Sequence, residues 1–157
     1  MKIKIGLTET QLERSVQLLS VQLSNEMVLY IKTRKFHWNV SGDSFMELHK
    51  LFQEQYTELE ESIDWLAERI NQLGGKTIGT MKEFLQATQL KEAPNKYPAA
   101  KEMLSELLND REAIIVQLRK DVVMCAEKIV DAGTADLLTG LMEQHEKMAW
   151  IIRRYLD

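Results

Sequence analysis

The sequence predicts an all-α protein: a four-helix bundle with a short extra helix between the second and third long helices. Three observations carry this. Seven glycines and two prolines make nine turn formers in 157 residues, whereas an all-β sandwich needs a turn signal every ~8–12 residues. Apolar residues recur in steps of three and four along four separate stretches, which is helical periodicity. Finally, 45 % of the chain is apolar, enough for one full core in a single domain over residues 1–157 and too much for a long disordered tail.

The elements follow in order. Residues 1–7 form a short N-terminal tail. Thr8-Glu9-Thr10-Gln11 reads as an N-cap with Gln at N3, and Leu12, Val16, Leu19, Leu23, Met27 and Tyr30 continue a helix to about His37. Asn39 to Asp43 is a loop around Gly42. Ser44 to Glu47 has the Ser-x-x-Glu form of a capping box and opens the second helix. Its stripe, from Phe45 through Leu48, Phe52, Tyr56, Leu59, Ile63, Leu66 and Ile70 to Leu73, is the cleanest in the chain, and Gly74-Gly75 ends it. Residues 80–90 form a short connecting helix. Pro98 suits the first turn of the third long helix, which carries Leu104, Leu108, Ile115, Leu118, Val122, Cys125 and Ile129. Gly133 interrupts it, and Thr134 caps a fourth with Leu138, Leu141, His145, Met148 and Ile152 on one face. The stretch from Gly74 to Pro98 exceeds a tight helix–helix turn and is long enough to cross the bundle.

Charge and cysteine content narrow the function classes. The net charge is −4, from 20 basic and 24 acidic residues, unlike the basic balance of a nucleic-acid-binding domain. The single cysteine, Cys125, has no intrachain partner for a disulfide and lies among Val122, Val123, Met124 and Ala126, so it reads as a small core hydrophobe. Met27, Met103, Met124 and Met148 read as core residues too. No apolar run exceeds about five residues, which excludes a transmembrane helix and a signal-peptide core, and the chain is read as cytoplasmic.

The chemically informative side chains are three histidines and the acids beside the stripes. His37 ends the first helix next to Trp38. His49 lies in the second turn of the second helix, and Asp64 and Glu68 share a face further along it. Each has an ordinary reading: the histidines as hydrogen-bonded structural residues, the acids as a solvated face or as partners of Arg69 or Lys50. His145, with no carboxylate partner apparent, reads as structural. As metal ligands, His49 and Asp64 stand fifteen residues apart on an unbroken helix, ~22 Å at 1.5 Å per residue, so one chain cannot bring them together. Two antiparallel copies across a two-fold axis can, giving equivalent sites of two imidazoles and two carboxylates. Such mixed ligation suits iron, zinc or manganese.

The run His37-Trp38-Asn39-Val40-Ser41-Gly42, followed by Phe45, Leu48-His49, Phe52, Asp64, Ala67-Glu68-Arg69 and Leu73-Gly74-Gly75, resembles the starvation-induced DNA-protecting miniferritins, the Dps family of the ferritin-like superfamily. The match is close from His37 to Gly75, the remainder agrees in helix layout, and Thr134-Ala135-Asp136 opens the last helix as in that family. The resemblance implies a ferroxidase in a dodecameric hollow shell built from two-fold dimers. In it His37 and His49 of one subunit and Asp64 and Glu68 of its partner hold iron, with room for two iron positions per site, and Trp38 beside them takes up oxidising equivalents. Fe(II) is oxidised with hydrogen peroxide (or O2) as oxidant, and ferric mineral is stored in the cavity, protecting against oxidative damage. Many members carry an acid four residues after the second histidine. Here that position is Gln53, a weaker ligand, which loosens the second iron position. Glu127, Asp131 and Asp136 fall where the family places a three-fold, iron-admitting pore, and otherwise read as a solvated helix-end loop. The other function implied by the family, DNA compaction with a secondary metal site, is disfavoured here. Only Lys2 and Lys4 precede the first helix, and a net negative shell repels phosphate.

Overall fold

The computed structural model describes residues 3–157, so Met1 and Lys2 lie outside the described residues. Five α-helices and one π-helical segment account for its regular structure, with no strand among the described residues: α1 Glu9–Asn39, α2 Phe45–Gln72, the short α3 Met81–Ala87, α4 Ala100–Val123, the π segment Met124–Ile129, and α5 Ala132–Leu156. Helices α1 and α2 pair as one hairpin, α4 and α5 as another, and α3 packs on α1. The link from α2 to α4 runs the length of the bundle. The start of α4 lines a surface depression with the α1–α2 loop, whereas the end of α2 is tied through Arg69 to Asp131 at the start of α5. No helix among the described residues is long and apolar enough to cross a membrane.

The helix ends show where local signals hold and where they fail. At α1 the Thr8 hydroxyl accepts from the Gln11 N–H and Gln11 Oε1 accepts from the Thr8 N–H, a complete capping box. Thr80 and Glu83 build a second box at α3, which spans only Met81–Ala87 rather than 80–90. Ser44 does not cap: it precedes α2 without a side-chain bond to it. Pro98 lies outside α4, before the cap residue Ala99. Gly74, at φ +83°, takes the left-handed conformation that closes α2.

The α4–α5 junction differs most from expectation. Gly133 does not break the helix and Thr134 does not cap it. The chain instead widens into the π segment, then reverses at Val130, whose φ of 62° is left-handed and rare for a β-branched residue. Asp131 is the cap of α5, its Oδ1 accepting from the Thr134 N–H at 3.0 Å. Gly133 lies inside α5, where a Cβ would sit 2.9 Å from the Arg69 guanidinium.

The core holds the apolar stripes, with Leu19, Leu29, Phe52, Leu107, Leu118, Cys125 and Ile152 fully buried. Met103 and Met148 join it, while Met124 is exposed. Helix α1 also buries Ser15, Gln22, Ser24, Asn25, Glu26 and Thr33. At mid-bundle all four long helices contribute to one polar network. Arg111 Nη1 donates to His145 Nδ1 at 3.2 Å and Arg111 Nη2 to Gln55 Oε1 at 3.1 Å. Because arginine only donates, His145 Nδ1 carries a lone pair, and its Nε2–H donates to Glu26 Oε1 at 2.7 Å. His145 is thus structural, with Glu26 as its carboxylate partner. Burial lowers the Arg111 pKa to about 10.

Candidate metal centre

The site begins with the geometry of two helix ends. Helix α1 stops at Asn39, leaving its last carbonyls without intrahelical donors. His49, in α2 just past the intervening loop, meets one of them: its Nδ1–H donates to the His37 carbonyl at 2.9 Å. The His37 Nδ1–H donates in return to the His49 carbonyl at 2.7 Å. A carbonyl only accepts, so both Nδ1 atoms carry the proton and both Nε2 atoms carry a free lone pair in the neutral rings. The rings stack with centroids 3.7 Å apart and planes 23° apart. His37 is buried and His49 half-buried, with Phe45 against the latter at 5.1 Å. Fixing one ring nitrogen on a carbonyl while the other stays free is how proteins present imidazole to a metal.

The carboxylates lie elsewhere. Asp64 and Glu68 are exposed on α2, and the helix between them and His49 is continuous, placing Asp64 ~22 Å along the axis. Among the described residues no three or more His, Cys, Asp or Glu side chains converge as a metal-holding group. Neither ordinary partner engages these acids: Arg69 pairs with Asp131 at 3.0 Å, and Lys50 lies 3.9 Å from Glu54. Gln53 is exposed beside the histidine end. On the same helix Phe45, Met46 and Trp65 expose apolar surface, Met46 by 72 %.

Trp38 is 64 % exposed. It is one of three aromatic rings gathered around a single guanidinium: Arg34 Cζ lies 5.5 Å from the Trp38 ring, 5.5 Å from Tyr30 and 4.5 Å from Tyr56. This cluster abuts the histidines, since Tyr56 meets His37 edge-on at 5.3 Å. The sequence stripes contain Tyr30 and Tyr56 only as apolar positions, and the link through Arg34 shows only in three dimensions.

The three acids near the α4–α5 junction separate. Glu127 and Asp136 are exposed, but Asp131 is 3 % exposed and is not a solvated loop residue. It accepts from Ser15, Thr134 and Arg69. Burial pushes its carboxyl up, yet these hydrogen bonds and the Arg69 charge together hold it below the usual aspartate value.

A ferritin-like domain model matches residues 16–157. DNA protection during starvation protein 2 of Bacillus anthracis is 38 % identical over 142 residues, covering 90 % of this chain and 96 % of that one. Among solved structures, DpsC from Streptomyces coelicolor superposes with a TM-score of 0.96 at 29 % identity, covering 100 % of this chain and 91 % of its own. A Dps protein from Vibrio cholerae O1, described as a member of a broad superfamily of ferritin-like diiron-carboxylate proteins, superposes with a TM-score of 0.90 at 29 % identity, covering 99 % of this chain and 100 % of its own.

Proposed function

Because the chain belongs to the Dps family of ferritin-like proteins, we propose that it is a cytoplasmic ferroxidase and iron store, oxidising Fe(II) with hydrogen peroxide at sites shared between two copies and holding the ferric product inside a dodecameric shell. The observation that carries this reading is the reciprocal lock of His37 and His49, which leaves a free Nε2 lone pair on each of two stacked rings. Fe(II) binds such rings without displacing a proton, because the Nδ1 protons are already committed to carbonyls. A second copy, its α2 antiparallel to the first, brings Asp64 and Glu68 to the imidazoles, and the exposed Phe45, Met46 and Trp65 supply apolar surface for that pairing. Hard carboxylate oxygens favour the oxidised ion over the ferrous one, so the ligand set assists electron loss. Gln53 leaves a second iron position without a carboxylate from its own subunit. Glu127 and Asp136, the exposed acids of the junction, focus cations toward the interior.

The test is Fe(II) oxidation by peroxide, followed by ferric absorbance, in wild type, His49→Ala and Asp64→Asn. Both variants are expected to lose the fast phase, and a wild-type rate in both overturns the reading. Sedimentation is expected to give a large closed assembly, and a stable monomer defeats the shared site. DNA protection on this reading comes from removing Fe(II) and peroxide, without contact with the duplex. Strong, salt-sensitive retardation of plasmid DNA in a gel would favour a DNA-compacting role instead.

A further inference from the structure

We propose that Met124 is a site of oxidation by hydrogen peroxide, at which the Arg14 guanidinium promotes formation of the sulfoxide and then holds it as a clasp between α1 and the π segment. The inference goes beyond the metal centre and does not depend on it. Its starting point is an uneven pairing. Arg14 Nη2 donates to the Met124 sulfur at 3.2 Å, a weak acceptor for a strong donor. Among the described residues no carboxylate forms an ion pair with Arg14. The side chain is exposed, so its other N–H groups face solvent. Met124 is 37 % exposed and opens the π segment. Such segments are rare and recur at functional positions. Two further bonds tie α1 to the far end of the same region: Gln11 Nε2 donates to the Ile129 carbonyl at 2.6 Å, and Ser15 Oγ donates to Asp131 Oδ2 at 2.8 Å. Met124 thus sits where the first two turns of α1 grip the α4–α5 junction.

The chemistry follows from that contact. The thioether sulfur accepts one hydrogen bond and keeps a second lone pair. That pair attacks one peroxide oxygen, an S–O bond forms and the O–O bond breaks. The departing oxygen takes the bonding electrons and gathers negative charge, and a guanidinium N–H beside the sulfur donates to it. The proton on the sulfur-bound oxygen then passes to the departing one. One methionine and one peroxide give one sulfoxide and one water: sulfur loses two electrons and peroxide gains them. Arg14 keeps all its protons throughout. Exposure alone would favour Met81, at 56 %, so a preference for Met124 belongs to Arg14. The same guanidinium holds the product. A sulfoxide oxygen is a polar acceptor where the thioether was apolar, and its bond to Arg14 is charge-assisted. Sulfoxide reduction reverses the change, so the clasp tracks the level of peroxide.

The assembled protein, with a chelator present to suppress iron-derived radicals, is treated with hydrogen peroxide and digested, and sulfoxide at Met124 and Met81 is followed by mass spectrometry. Met124 is expected to oxidise about fivefold faster than Met81, equivalent to about 1 kcal/mol. Arg14→Ala uncovers the sulfur further, yet the Met124 rate is expected to fall to that of Met81. Amide hydrogen exchange across Met124–Ile129 is expected to slow on oxidation of wild type and not of Arg14→Ala. Met124 oxidation no faster than Met81, or a wild-type rate in Arg14→Ala, overturns the site. Exchange in oxidised wild type that is unchanged or quicker overturns the clasp. All of these readouts are taken without iron, so their failure leaves the ferroxidase reading standing.

Discussion

His37 and His49 donate their Nδ1 protons to each other's backbone carbonyl, at 2.7 and 2.9 Å, so that neither ring can change tautomer without breaking a bond to the other residue. Both imidazoles are therefore expected as Nδ1–H tautomers in long-range 1H–15N spectra of the metal-free protein. In His37→Ala the carbonyl that accepts from His49 persists, so His49 is expected to keep its Nδ1–H tautomer. Divalent cation affinity should fall by more than the about 10–100-fold usual for losing an orienting partner, because His37 is itself a ligand on this reading. An Nε2–H tautomer of His49 in that variant would show that the stacked ring, and not the carbonyl, sets the lock.

Asp131 should control acid stability. Its carboxyl lies below the ordinary value of 3.8 in the folded chain. A carboxyl depressed on folding contributes stability that is complete above the unfolded value and is lost as pH falls through the folded one. Asp131→Asn is expected to be less stable at neutral pH by about 2–3 kcal/mol, from a weakened cap and a lost charged bond to Arg69. The gap to wild type should close on acidification below the aspartate range. Urea titrations across that range check it, and a gap independent of pH would remove Asp131 as the titrating group.

Val130 stores backbone strain. A β-branched residue at φ 62° costs about 1–3 kcal/mol, and its side chain is 62 % exposed, so little packing is lost on removing it. Val130→Gly is expected to raise stability by about 1 kcal/mol, read as a higher denaturant midpoint. A lower midpoint would mean that the valine side chain contributes more than its conformation costs.

Cys125 should be inert in the native protein. It is fully buried, and burial pushes its thiol up to about 11, leaving roughly one part in ten thousand as thiolate at neutral pH. Iodoacetamide is expected to label it only after denaturation. Rapid native labelling would reveal opening of the π segment that carries it.

Periodicity made the four long helices legible, because each buries one apolar stripe and the steps of three and four survive in the bare sequence. Helix ends were less legible. Thr8 caps where its motif says and Ser44 does not, while Asp131 takes the cap expected of Thr134 by accepting from the Thr134 N–H, its further partners Ser15 and Arg69 being remote in sequence and close only on folding. The polar core of α1 escaped notice for a related reason: a hydrophobic stripe records apolar burial, whereas Gln22 and Glu26 are buried through bonds to α4 and α5. In the candidate site the residues themselves were legible from type and spacing. The carbonyl exchange between His37 and His49 was not, since it depends on how α1 ends and how the loop returns α2. The tyrosine cluster was hidden within apolar positions.

The mid-bundle network has a bearing on how the chain folds. Glu26 and Gln55 belong to the α1–α2 hairpin, and Arg111 and His145 to the α4–α5 hairpin. Each hairpin can form from contacts close in sequence and therefore quickly, but each alone carries half of a charge set that water must solvate. Docking slipped by one helical turn would bury Glu26 without His145 and Arg111 without Gln55, a heavy penalty for unpaired buried groups. Apolar stripes tolerate such a slip far better. The network thus acts as a proofreading step for the late collapse of two early-formed halves.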